Sequence, residues 1–356
     1  MSVTRPNEIM SQKTIHLIDT AIASDNIGDE IIVEACRDAL SNILCDAYVT
    51  TSSSHDGLGP SGRKLVAASD LVFLLGTNAL SAKSAKWRKP FNWHVTHADL
   101  PALDGKVILF GVGAHRAFSA VKLMQRRFLR RVLSKRYSHS VRDASALAML
   151  EACELQGANT ACPTLWRWRD KQPQTNHDKA REVCFSLTSH KVDPHNDRLM
   201  IDILKSTYDH LWFWPQQQGD IPYLRSLDRD NGVSIIPPNL ASYDDILRSR
   251  SVDVIGTRLH GTIRGLMHGR RSIVIAIDNR ANELGEATGL PMVRRPDIEM
   301  RLRTFASASW ETRLRINAFE CERFLGQFRA HRVPGDSILS AEHPTASNRS
   351  AATLSS

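Results

Sequence analysis

The feature that most constrains this chain is a recurring alternation. Short apolar runs are followed by turns of glycine or small polar residues, and then by helical patterns. Strands buried on both faces of a parallel sheet read this way, because the in-out alternation of a half-exposed strand disappears. A first series places such runs at 14–19, 47–49, 71–76, 107–111 and 138–141. Helices are predicted over 31–44 and 143–152, and a strongly basic one over 117–136. A second series has runs at 182–187, 211–214, 233–236, 252–256 and 273–277. Between them, around Trp166-Arg167-Trp168-Arg169-Asp170, the periodicity fails and a linker is expected. A helix over 309–329 closes the pattern.

Two such series predict an α/β chain of two doubly wound parallel-sheet (Rossmann-like) domains facing across a cleft. The expected boundaries are 14–165 for the N-terminal domain, 166–180 for the linker and 181–330 for the C-terminal domain. A Ser/Thr/Ala-rich tail over 337–356 is expected to be disordered. The length of 356 residues fits two cores better than one.

Hydrophobic residues make up 42% and charged residues 24%, which excludes a disordered chain. No run reaches the roughly 20 apolar residues that span a bilayer. The first 13 residues are polar and lack the apolar core of a secretory signal, so the cytoplasm is the expected location. The six cysteines are scattered without a CxxC pair, which suits reduced, mostly buried thiols rather than a zinc site. A net charge of +8 points to anionic partners. With 6% aromatics and no basic-aromatic module, nucleic acid is not an expected partner.

Ligands of open α/β sheets bind at the carboxyl ends of strands, which ranks the candidate residues. Foremost is Gly256-Thr257-Arg258-Leu259-His260-Gly261-Thr262 after the 252–256 strand. Arg258 offers a fixed guanidinium fork, His260 a proton-carrying group, and Gly261 opens a helix whose free N–H groups attract anions. For an isolated Arg-x-His the commoner reading is that Arg258 pairs with an acid across the domain interface and His260 is a capped structural residue; the strand-end position reverses that preference. After the first strand come Ser24-Asp25-Asn26-Ile27-Gly28-Asp29. Here Gly28 permits a tight turn, while Asn26 and Asp29 serve either as helix caps or as partners of sugar hydroxyls. Ser140-Val141-Arg142-Asp143 supplies a second cation, Arg142, with Asp143 placed to cap a helix. Asn78, in Gly76-Thr77-Asn78, ends another strand. Gly111-Val112-Gly113 lacks the third glycine of a dinucleotide fingerprint, so no nicotinamide cofactor is expected. On the basic helix most of Lys122, Arg126, Arg127, Arg130, Arg131, Lys135 and Arg136 share one face. A solvated face is the default reading of that pattern, and a surface resting on anionic lipid the sharper one.

Taken in order, Asn26-Ile27-Gly28-Asp29, Ser140-Val141-Arg142-Asp143, Thr257-Arg258-Leu259-His260-Gly261 and the 273–277 run followed by Asp278-Asn279-Arg280 resemble the polysaccharide pyruvyl transferase family. The resemblance spans residues 14–330. It implies a GT-B-like fold and transfer of pyruvyl from phosphoenolpyruvate to two hydroxyls of a sugar as a cyclic ketal. The acceptor would be an exopolysaccharide or its lipid-linked oligosaccharide precursor. No metal or cofactor is implied beyond phosphoenolpyruvate as donor substrate. Arg258 and Arg142, with Gly261, would anchor the anion in the C-terminal, donor-side domain and at its edge. His260 would be the acid, with a pKa expected near neutrality, and Asp29 the base or acceptor-orienting group. Asn26, Gly28 and Asn78 would line the acceptor side. Many members carry glycines where this chain has Gly76-Thr77-Asn78, which implies a narrower cleft. Two other readings share this sequence: a GT-B glycosyltransferase using a nucleotide sugar, with Asp278 or Glu283 on the ribose, and a non-catalytic scaffold of a polysaccharide assembly complex.

Overall fold

The computed structural model describes residues 12–81, 92–115, 117–228 and 232–329; the predicted tail at 337–356 lies outside them. The first lobe is built on a parallel sheet of β1 (Lys13–Asp19), β2 (Ala47–Ser53), β3 (Leu71–Leu75) and β4 (Val107–Phe110) in the order β2-β1-β3-β4. Strands β5 (His139–Val141) and β6 (Gly157–Asn159) pair with each other beside β4, tied to its end by a bridge between Val112 and Val141. The second lobe is a six-stranded parallel sheet: β7 (Glu182–Ser186), β8 (His210–Phe213), β9 (Val233–Ile235), β10 (Val252–Gly256), β11 (Ser272–Ala276) and β12 (Met292–Arg294). Its order is β12-β11-β10-β7-β8-β9, the doubly wound arrangement in which the strand order reverses between β7 and β10. In the first sheet the reversal lies between β1 and β3.

Every predicted strand is present. Strands β6 and β12 were not anticipated, because three residues at the border of a sheet carry too little apolar signal for a period to show. The basic helix is shorter than expected, Leu123–Val132, and the closing helix starts late, at Ala318. The delay has a local cause: Asn317 accepts the Glu320 N–H on Oδ1 at 3.2 Å, a cap that fixes the helix start there. Residues 308–317 instead cross between the lobes. They are held to the other crossing segment by Gln172, whose Oε1 accepts the Leu314 N–H (2.7 Å) and whose Nε2 donates to the Leu314 carbonyl (3.0 Å).

Two expected boundaries change. The helix Ala318–Arg329, placed by sequence in the C-terminal domain, packs Cys321, Phe324, Leu325 and Phe328 against Ile15, Phe73 and Phe110 of the first lobe. Aromatic burial there outweighs sequence proximity. The 166–180 linker is likewise less slack than its polar composition suggests, since Pro163–Trp168 forms a 3-10 helix. Its alternating tryptophans anchor both sides: Trp166 enters the first lobe's core and Trp168 the second's.

The lobes also interlock directly. Ile31, on the helix Gly28–Ala39 that follows β1, is buried among Cys184, Trp214 and Tyr243 of the second lobe. The Ile27 N–H donates to the Gln216 carbonyl at 3.1 Å, and Arg264 reaches Glu34 at 2.7 Å. Both strand-order reversals therefore face one gap.

Candidate active site

Between the lobes lies a cleft of about 370 Å³. Asn26, Gly28, Asp29, Asn78 and Arg142 line it from the first lobe; Arg258 and His260 do so from the second. The sequence-selected strand ends converge as their positions required. Gly261 sits one residue behind, under the floor. A Cβ there would fall far inside van der Waals distance of Gln216 Nε2 and 3.0 Å from the Trp214 ring, so only glycine lets the helix Leu259–Met267 start so close. Tyr243, stacked on Trp214, donates its hydroxyl to the Gly261 carbonyl at 3.0 Å and fixes that first turn.

Arg258 differs from expectation. It is buried, and its Nη2 donates to both carboxylate oxygens of Asp220 (2.5 and 2.7 Å), while Nε donates to the Leu187 carbonyl (3.1 Å). Asp220, at the start of the helix Asp220–Leu227, is fully buried and also accepts the backbone N–H groups of Ser189, Gln216 and Gln217. The charge expected to be free for a ligand is thus compensated within its own lobe. Burial demanded this: an uncompensated guanidinium in that position would bear the full desolvation cost.

Arg142 is held differently. Its Nη2 donates to Asn78 Oδ1 at 2.6 Å, a neutral partner, and its Nη1 is buried with no partner. No carboxylate of the described residues lies within ion-pair distance. Asn78, expected to narrow the cleft, thereby aims a cation. Gly113 explains itself here too: a Cβ would lie 2.6 Å from Arg142 Nε. Asp143 caps the helix Ala144–Ala152, accepting the Ala146 N–H at 2.7 Å and the Ala114 N–H at 3.0 Å.

His260 departs from the expected near-neutral pKa. Burial, aided by the charge of Arg142, lowers it to about 3, so the imidazole is neutral near pH 7. Its Nε2 lies 3.6 Å from Cys162 Sγ, a contact between lobes, and Thr164 Oγ1 donates to that sulfur at 3.2 Å. Asp29 is pushed the other way: burial raises its pKa, against the opposing pull of Ser24 and the charges of His55 and Arg142. Ser24 Oγ donates to Asp29 Oδ2 (2.6 Å) and Asn26 Nδ2 to Oδ1 (3.2 Å). Asn26 Oδ1 in turn accepts the Gly28 N–H at 3.2 Å, so this asparagine organises the turn and the acid together.

Sequence reading missed Asp220, Gln216, His190 and Thr188. Gln216 is buried, with Nε2 unpartnered, and its carboxamide passes between Gly28 and Gly261 at the start of two helices. The only signal for it was its place three residues past β8, in an irregular Pro-Gln-Gln-Gln stretch. Thr188 accepts a hydrogen bond from Thr257 at 2.9 Å where β7 and β10 end.

Comparisons agree with this architecture. The solved structure of the Methanocaldococcus jannaschii UDP-GlcNAc 2-epimerase, in complex with UDP-GlcNAc and UDP, aligns with a TM-score of 0.50 at 10% identity, covering 89% of this chain and 99% of that one. At that identity the likeness establishes the fold, two Rossmann-like lobes of GT-B type, and nothing about ligands. No curated protein matches by sequence. The family model described as polysaccharide pyruvyl transferase matches residues 26–279, a span that runs from the Asn26 turn through β10, His260 and β11. With well over half of its length matched and the family's strand-end motifs gathered in one cleft, the chain belongs to the polysaccharide pyruvyl transferase family and is a transferase.

Proposed function

We propose that the protein transfers pyruvyl from phosphoenolpyruvate to two hydroxyls of one sugar as a cyclic ketal, on an exopolysaccharide or its lipid-linked precursor. The observation that carries this reading is the incompletely satisfied Arg142 beside His260 and Asp29, in a cleft that also presents the N-terminus of the helix Leu259–Met267. An anionic donor supplies the acceptors that Arg142 and that helix end lack.

The low pKa of His260 fits a proton carried in with the donor. With Arg142 as its charged neighbour His260 is neutral; a phosphate beside it offsets Arg142 and raises its pKa, so the imidazolium forms with the donor bound. That imidazolium protonates the methylene carbon of phosphoenolpyruvate, and the first sugar hydroxyl adds at the adjacent carbon as Asp29 takes its proton. Phosphate departs with its bridging oxygen, and the second hydroxyl closes the ring. Of the two hydroxyl protons, one replaces the proton given to the new methyl group and the other leaves on phosphate.

The test is phosphate release from phosphoenolpyruvate in the presence of the host's lipid-linked oligosaccharide, with mass spectrometry of the product. Acceptor-dependent release together with a pyruvate ketal on the glycan is expected, and His260→Ala should abolish both without unfolding the chain. Near-normal turnover by that variant removes His260 from the mechanism. Stabilisation by a UDP-sugar but not by phosphoenolpyruvate would replace the reading with a nucleotide-sugar transferase.

A further inference from the structure

The helix Leu123–Val132 is placed on the first lobe with Gln125, Leu129 and Val132 buried, so its outer face is defined. At the start of that face stand Leu123 and Met124, 61% and 64% exposed. Leu123 shares a stripe with Arg127 and Arg131 at four-residue spacing, and Arg126 and Arg130 flank it. Arg126 and Arg130 both pair with Glu154, and Arg131 lies 3.7 Å from Asp104. The side chains of Lys122, Arg127 and Lys135, all exposed, make no hydrogen bond or ion pair with the described residues.

We propose that this helix is a docking surface for an anionic lipid bilayer. It would lie flat, with Leu123 and Met124 entering the headgroup boundary and Lys122 and Arg127 meeting lipid phosphates. Two adjacent exposed apolar side chains flanked by the unpaired Lys122 and Arg127 match an interfacial helix, in which shallow insertion and electrostatic attraction add. They make a poor protein interface, which needs a larger apolar centre depleted of charge. No described helix is long and apolar enough to cross a membrane, so contact through this face is peripheral. The surface is separate from the cleft and stands whether or not the pyruvyl transfer reading holds.

The experiment is co-sedimentation of the full-length protein with phosphatidylcholine vesicles, with and without phosphatidylglycerol, across a salt series. Binding only to vesicles with phosphatidylglycerol, weakening as salt rises, is expected. K122E/R127E should bind at least about twentyfold more weakly, and L123S/M124S should also lose binding. Thermal melting of both variants should match the parent. Three results overturn the proposal: no sedimentation with anionic vesicles, equal binding by either folded variant, or binding to soluble dextran sulfate through these residues without binding to vesicles. The last would make the face a site for an acidic glycan.

Discussion

Each lobe delivers one arginine from a strand end to the cleft, and the two have opposite electrostatic fates. Arg258 is neutralised by a fully buried carboxylate that holds it with two hydrogen bonds. Arg142 is steadied by a neutral amide and keeps one nitrogen unpartnered. The same local pattern, Arg after a strand and before a helix, produces a structural clamp in one lobe and an available charge in the other. The difference is made by what a strand end two places away supplies: a carboxylate after β8, an asparagine after β3.

The contrast breaks most easily in stability. Arg258→Ala leaves Asp220 buried and unpaired and should cost about 3–5 kcal/mol in urea unfolding. If the midpoint does not move, Arg258 is not a structural clamp. Arg142→Gln should do the reverse. Turnover of phosphoenolpyruvate is expected to drop about 10²- to 10³-fold while the unfolding midpoint stays close to the parent; a large stability loss with normal turnover would exchange the two roles.

Acid sensitivity sharpens the comparison further. His16 and His139, buried in the first lobe, are held down to about 4, and His260 to about 3. The unfolded chain binds protons at these sites from near pH 6.5 downward and the folded chain does not. Stability therefore falls as pH drops from about 6.5 to about 4, by about 1.4 kcal/mol per pH unit for each group. Asp29, raised by burial, acts in the opposite sense. A bound donor anion should cancel the His260 part alone, which unfolding at several pH values with and without phosphoenolpyruvate would read. The smallest expected effect is at the floor. Gly261→Ala forces Gln216 aside and should cost about 1–3 kcal/mol, and Gln216→Ala in the same chain should recover part of it.

Much of the site was legible before the fold. The strand-end rule selected Asn26, Asp29, Asn78, Arg142, Arg258 and His260, and all line one cleft, because the rule follows from chain direction in a parallel sheet. Partners were not legible. Asp220 is 38 residues from Arg258 in the chain, and nothing in Gly219-Asp220-Ile221 distinguishes a buried counter-ion from a helix-start acid. The expected near-neutral His260 failed for the same reason, since its pKa is set by burial between the lobes and by Arg142.

The order of apolar runs and turns by itself determined two parallel sheets and which residues stand at their mouths, since both follow from local periodicity and strand direction. Only the tertiary structure decided how the lobes are joined and which charges are available. Trp166 and Trp168 turn a polar-looking linker into an anchor in both cores, and the helix Ala318–Arg329 returns to the first lobe. Burial and pairing depend on contacts between residues far apart in the chain, and those contacts leave no period in the sequence.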